Sequence, residues 1–362
     1  MNQIPVTVLI GFLGSGKTTL LNRLIEQSPN ERIVVIINEF GDTGIDHDLV
    51  LENYDEQIYQ MNNGCMCCIL RQDLVEMFMG ILNAQAKHDL QIDRIIIETS
   101  GLAEPSPIAQ TIIRSNVLSE QLIIDSIITL VDTENFLYQV RNFTETVDQI
   151  AFADTIFLTK TDLVDDTKLA LVKKTLFDIN PFVDVKAIDV KSVAFDQVVG
   201  LDLFDRFTSG SELVEGDIDV MIARKEGKER LQHEHAHNHE DEHEHHHDHS
   251  HEHDGENEHH HEHSDVNAFT IIVDRPLVEQ KFVYWLNMVT NIYGMDLLRY
   301  KGILNVEGFD RQVVLQGVNM AYSIDYGKEK VAENEPSKLV IIGKKLPEKV
   351  IRELFEETVV AV

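Results

Sequence analysis

The stretch Gly11-Phe12-Leu13-Gly14-Ser15-Gly16-Lys17-Thr18 has the spacing G-x-x-x-x-G-K-[ST], and that set of residues suits one chemistry, the cradling of a polyphosphate. Gly11, Gly14 and Gly16 let backbone N–H groups, that of Ser15 among them, turn toward phosphate oxygens with no Cβ in the way. The Lys17 ammonium would reach the β- and γ-phosphates, the Thr18 hydroxyl would sit on Mg²⁺, and Thr19 carries the loop into a helix. The implied ligand is a nucleoside triphosphate. Farther along, Glu98-Thr99-Ser100-Gly101 closes an apolar run where such a site needs an acid near Mg²⁺. Glu98 is expected to act through a metal-bound water. Gly101 would offer its N–H to the γ-phosphate and so tell tri- from diphosphate.

A second polar cluster, Thr159-Lys160-Thr161-Asp162, follows another apolar run and reads as the base-selecting element. A carboxylate at Asp162 can accept hydrogen bonds from both N1–H and the exocyclic amine of guanine, a pair adenine does not offer. The Lys160 stem would lie over the base with its charge in solvent. Thr159 stands where GTPases commonly carry Asn.

All three cysteines of the chain fall on one short stretch, Cys65-Met66-Cys67-Cys68. That is too few for a disulfide framework, and three soft thiolates together suit a tetrahedral Zn²⁺ site. Cys67 and Cys68 are neighbours and chelate less freely than a C-x₂-C pair, so a carboxylate from another loop, Glu39, is the candidate fourth ligand. A redox thiol group or buried cysteines are the plainer alternatives. Lys17, Glu39 and Glu98 together are the residues assigned to catalysis and its coupling to metal.

The elements that must position these groups are legible as short apolar runs. Val6–Ile10, Arg32–Ile37, Ile58–Met61, Asp93–Ile97, Ile123–Val131, Thr155–Leu158 and Val183–Ile188 read as strands, mostly separated by helical stretches such as Leu70 to about Ala86. That alternation predicts a doubly wound, mostly parallel α/β domain, with the ligand loops at the carboxyl ends of its strands. Every cluster named above falls at such an end. After about residue 207 the pattern stops. Fifteen of the 17 histidines lie between His233 and His263, interleaved with acids, and this tract cannot bury a core. Imidazoles at this density suggest a low-specificity metal reservoir, within an acidic linker that solvent can carry. Order resumes with strands at Phe269–Val273, Leu298–Val306, Arg311–Gly317 and Lys338–Ile342, and helices from Pro276 through Trp285 and from Pro347 to about Glu356. The expected organisation is therefore a P-loop domain over 1–207, a disordered linker over 208–266, and a smaller α+β domain over 267–362.

Composition bounds the partners. A net charge of −31 argues against nucleic acid and anionic membrane surfaces. No long apolar segment and no leader pattern stand in the chain, which leads to an expectation of cytoplasmic residence.

Taken together, Gly11–Thr18, Asn38–Gly41, Cys65–Cys68, Glu98–Gly101 and Thr159–Asp162 resemble the CobW-type GTPases, relatives of the nickel-insertion GTPases. A C-terminal region with Lys301-Gly302-Ile303-Leu304, Val313-Val314-Leu315-Gln316-Gly317 and Ser337–Gly343 is similar to the family's second domain. The resemblance implies slow GTP hydrolysis with GTP/GDP and Mg²⁺, metal binding at the C-x-C-C motif, and delivery of the metal to a client metalloprotein. Zn²⁺ is the favoured metal because of the histidine tract, with Co²⁺, Ni²⁺ and Fe²⁺ as cargoes of other members. The competing readings are a zinc buffer with a vestigial nucleotide site, a cobalt-handling relative in cobalamin biosynthesis, and a small-molecule P-loop kinase. A homodimer is the self-assembly considered.

Overall fold

The computed structural model of the protein describes residues 3–28, 31–38, 58–63, 71–88, 91–201, 266–330 and 335–360. Glu39, the cysteines Cys65, Cys67 and Cys68, and the tract from His233 to His263 lie outside the described residues.

Seven parallel strands form the first sheet: β1 (Ile4–Ile10), β2 (Ile33–Asn38), β3 (Ile58–Asn63), β4 (Arg94–Glu98), β5 (Leu122–Asp132), β6 (Thr155–Thr159) and β7 (Asp184–Ala187). Their order is β3-β2-β4-β1-β5-β6-β7. The apolar runs are near-continuous because both faces are covered, the usual reading of a parallel strand. Side chains alternate between two cores. Leu9, Val35, Ile96, Ile128, Leu130 and Phe157 meet Leu20, Leu21 and Leu24 of α1 (Lys17–Gln27) on one face. Val8, Ile10, Val34, Ile36, Ile95, Ile97 and Ile156 meet α2 (Arg71–His88), α3 (Ser106–Arg114) and α6 (Thr144–Phe152) on the other. Helices α4 (Asn116–Ser119), α5 (Phe136–Asn142) and α7 (Asp166–Ile179) complete the described helices of this part.

The second sheet has five antiparallel strands, ordered β11-β10-β9-β12-β8: β8 (Val266–Val273), β9 (Leu297–Leu304), β10 (Arg311–Val318), β11 (Ala321–Lys330) and β12 (Ser337–Lys344). Helices α8 (Glu279–Tyr293) and α9 (Glu348–Glu356) cover one face through Phe282, Trp285, Ile351 and Phe355, and the Phe355 ring meets both Phe282 and Trp285 edge-on. Leu298, Val318, Ile342 and Val266 from this sheet enter the core that holds Ile112, Ile150 and Phe152. The two sheets thus share one apolar core across the interface.

Two of the sequence-derived bounds shift, and one strand is additional. The linker was expected to end at residue 266, yet β8 already begins at Val266 and pairs with Lys344. The helix expected over Pro276–Trp285 starts at Glu279 and runs on to Tyr293, because Leu277 instead makes bridges to Val306 and Val359. β11 was not anticipated. Its sequence, Ala-Tyr-Ser-Ile-Asp-Tyr-Gly-Lys-Glu-Lys, is polar at alternate positions and it lies at the sheet edge, where one neighbour suffices.

Candidate nucleotide site

Between β1 and α1 the chain makes the turn that its glycines allow. Gly11, Gly14 and Gly16 have φ of 139°, 76° and 101°, values that a residue with a Cβ rarely adopts. At Gly11 a Cβ would also stand 2.3 Å from the Leu130 carbonyl oxygen, so the loop lies directly on β5. Lys17 opens α1 with its side chain folded back under the loop. Its Nζ donates to the Gly11 carbonyl at 2.7 Å and the Phe12 carbonyl at 3.1 Å, and the residue is 7% exposed. Burial pulls its pKa down to about 8, against the opposing pull of Glu98. Ser15 is buried, while Thr18 and Thr19 are exposed on the first turn of the helix.

Glu98 ends β4, beside β1 in the sheet, with Leu9 as its register partner. The Thr18 hydroxyl donates to its Oε1 at 2.5 Å. A hydroxyl and a carboxylate this close form a hard oxygen donor set, which fits Mg²⁺. Beyond Glu98, Thr99 donates its N–H to the Leu9 carbonyl at 3.0 Å, and the chain passes tightly beneath the phosphate loop. A Cβ on Gly101 would stand 2.6 Å from the Leu13 nitrogen, so only glycine fits there. The Gly101 and Ala103 carbonyls accept from Gln149 Nε2 at 3.1 and 3.3 Å, a buried amide on α6.

From the other side comes the β6 end. Thr159 donates its hydroxyl to the Ser15 carbonyl at 2.9 Å and the Val131 carbonyl at 3.2 Å. A hydroxyl is therefore enough to tie this motif to the phosphate loop. Lys160 follows in the left-handed region, at φ 55°. Its Nζ meets Asp132 Oδ2 at 2.7 Å. Asp162 is exposed, in a single 3₁₀ turn over Thr161–Leu163. Asp132 ends β5 and is 2% exposed. Burial raises its carboxyl, but the Lys160 and Asn135 hydrogen bonds and the Lys160 charge outweigh that and hold it below the usual range.

The phosphate-loop residues, Glu98, Gly101, Thr159 and Lys160 are thus brought together, although they come from three strand ends. Sequence reasoning assigned no role to Asp132, which follows the apolar run Ile123–Val131, nor to Thr133 or Gln149. Their partners lie 26 to 48 positions away, and only the sheet order brings them near. An acid at a strand's carboxyl end was the available signal for Asp132.

Residues 5–186 match the family described as CobW/HypB/UreG, nucleotide-binding domain, and residues 266–359 match the cobalamin synthesis protein cobW C-terminal domain. Over 360 residues, 98% of each chain, the protein is 30% identical to the zinc chaperone YjiA of Escherichia coli. It is 27% identical to the zinc-regulated GTPase metalloprotein activator 1 of Saccharomyces cerevisiae over 98% of this chain and 83% of that one. The crystal structure of Zn(II)-bound YjiA GTPase from E. coli superposes with a TM-score of 0.70 at 26% identity, covering 99% of both chains. Phosphate loop, strand-end acid and second sheet agree with these likenesses: the chain belongs to the CobW/HypB/UreG family of P-loop GTPases, in the form that carries a CobW C-terminal domain.

Proposed function

We propose that the chain is a GTP-hydrolysing metallochaperone, which binds Zn²⁺ through Cys65, Cys67, Cys68 and Glu39 and delivers it to a client metalloprotein. Metal affinity depends on whether GTP or GDP is bound. One observation carries this reading: the register of the first sheet. Ile37 of β2 has Glu98 of β4 on one side and Asn62 of β3 on the other. β3 therefore ends two strands from Glu98, about 10 Å across the sheet, and the next residues in sequence are Gly64 and Cys65. β2 ends at Asn38, directly before Glu39.

In this reading Lys17 and the loop N–H groups bind the β- and γ-phosphates, while Gly101 faces the γ-phosphate and registers its loss. Thr18 and Glu98 would hold Mg²⁺, which when bound neutralises charge on the phosphate oxygens. Asp162 and Lys160 select and cover the guanine. Water attacks the γ-phosphorus as the bond to the bridging oxygen breaks, giving GDP and phosphate. Turnover is expected on the order of 10⁻⁴ to 10⁻² s⁻¹ until a partner supplies transition-state charge. The proposed division is a P-loop domain over 1–207, a histidine-rich reservoir linker, and a C-terminal domain from about residue 267.

GTP affinity measured with and without one equivalent of Zn²⁺ tests the coupling, since linkage requires each ligand to change the other's affinity by the same factor. Equal affinities would overturn it. The density of histidines in 233–263 favours a second reading, a zinc buffer. Deleting that tract separates the two: a chaperone keeps one tight, nucleotide-dependent site, whereas a buffer loses nearly all its capacity.

A further inference from the structure

Asp132 lies outside every nucleotide motif of the sequence, yet its carboxylate accepts four hydrogen bonds. It accepts from the N–H groups of Glu134 at 3.0 Å and Asn135 at 3.3 Å, and from Asn135 Nδ2 at 2.9 Å. Those three bonds would satisfy an aspartate that merely shaped the turn into α5. The fourth, from Lys160 Nζ at 2.7 Å, goes beyond that need. The next residue repeats the pattern: Thr133 donates both its hydroxyl, at 2.7 Å, and its N–H, at 3.1 Å, to the Thr159 carbonyl. Lys160 is thus held at both ends. Its backbone is fixed to β5 and, through Thr159, to the phosphate loop, and its ammonium is fixed to Asp132.

We propose that Asp132 is a positioning residue for the purine, holding Lys160 so that the lysine stem forms a pre-ordered floor for the base of a bound guanine nucleotide. This rests on the base-selecting reading of Thr159–Asp162. The physical reason is entropic. A free lysine stem carries about 2 kcal/mol of rotamer freedom, which a ligand must freeze on binding. A stem tethered at its tip has lost that freedom already, so more of the stacking contact appears as affinity. The left-handed backbone at Lys160 is costly for a residue with a Cβ, and it persists because both ends are held.

The test is Asp132→Asn in the full-length chain. Asparagine keeps an acceptor for the Glu134 and Asn135 N–H groups and removes the charge that holds Lys160. Affinities are measured by calorimetry for GDP and for inorganic tripolyphosphate, which has phosphates and no base. GDP affinity should fall about tenfold with tripolyphosphate unchanged, as expected for the loss of one charge-assisted hydrogen bond. Lys160→Met should give a similar loss, and the double variant should lose no more than either alone. An Asp132→Asn variant that binds GDP normally, or that loses GDP and tripolyphosphate equally, would overturn the proposal. Wild-type protein that holds ADP as tightly as GDP would overturn the base-selecting reading, and this proposal with it.

Discussion

Two regions bury charge in this molecule and treat it in opposite ways. At the carboxyl edge of the first sheet, Lys17 is buried with two carbonyl oxygens for partners, and its ammonium is disfavoured. At the interface between the sheets, Asp154 is buried against two cations, Arg299 Nη2 at 2.5 Å and Lys301 Nζ at 2.9 Å, and the Ile127 N–H donates to its other oxygen. Burial raises the Asp154 carboxyl, but Arg299 and Lys301 more than compensate and hold it below its ordinary value. This cluster of the interface is electrostatically complete. At the nucleotide edge the Lys17 ammonium is bonded to two carbonyl dipoles and, among the described residues, to no carboxylate, an electrostatically incomplete arrangement that suits anion recognition and not a structural contact.

The largest effect should come from the incomplete side. Lys17→Ala removes the one buried cation of the loop and should lower GTP hydrolysis at least about 10²-fold, with the unfolding midpoint little changed; a variant with normal turnover would remove Lys17 from the mechanism. On the complete side the pattern reverses. Asp154→Asn strands two buried cations and should cost about 3 kcal/mol of stability in denaturant unfolding. A cost under about 0.5 kcal/mol would mean that the interface pairs contribute nothing net.

The contrast also has a pH signature. With no ligand Lys17 titrates near 8, and bound phosphates favour its ammonium, so above pH 8 binding takes up a proton. GDP affinity should therefore weaken between pH 8 and 9, by up to about tenfold per unit. Lys17→Met should lack this slope; an identical slope in the variant would place the titration elsewhere. Thr159→Val, which removes the hydroxyl bonded to Ser15 and Val131, should weaken GDP binding by about fivefold, roughly 1 kcal/mol. Unchanged affinity would show that the phosphate loop keeps its shape without this tie.

How far the sequence discloses all this differs between the two regions. The nucleotide edge is legible because its chemistry is local: Gly11–Thr18 is one stretch, and Glu98 and Thr159 each announce themselves at the end of an apolar run. The parallel sheet is legible for the same reason, since strands buried on both faces read as unbroken apolar runs. The interface was invisible. Asp154 and Arg299 stand 145 positions apart, and Arg299 sits inside a strand whose neighbours gave no hint of a charge partner. β11 was missed because an edge strand in an antiparallel sheet can be half polar. Asp132 fell between the two cases, readable as a strand-end acid but needing the β5–β6 pairing to reveal Lys160 as its partner.

The smallest predicted effect separates two carboxylates on the same side of the comparison. Asp148 on α6 also meets a cation of the second sheet, Lys344, at 2.7 Å. Here burial outweighs the lysine, helped by Glu145, and the Asp148 carboxyl is raised above its ordinary value of 3.8. The signs then oppose those of Asp154. A raised folded value means that the native state holds its proton more tightly, so this group's contribution to stability is present below pH 3.8 and is lost as pH rises through the raised value. At neutral pH, Asp148→Asn should change stability by no more than about 0.5 kcal/mol, because a half-exposed lysine repays little of the carboxylate's desolvation. On acidification, wild-type protein should gain on Asp148→Asn and, below pH 3.8, lose its advantage over Asp154→Asn. Denaturant midpoints of the three proteins at several pH values between 3 and 7 would show it. Parallel slopes for both variants would mean that the two acids share one environment, and that the interface is not divided into a complete pair and a marginal one.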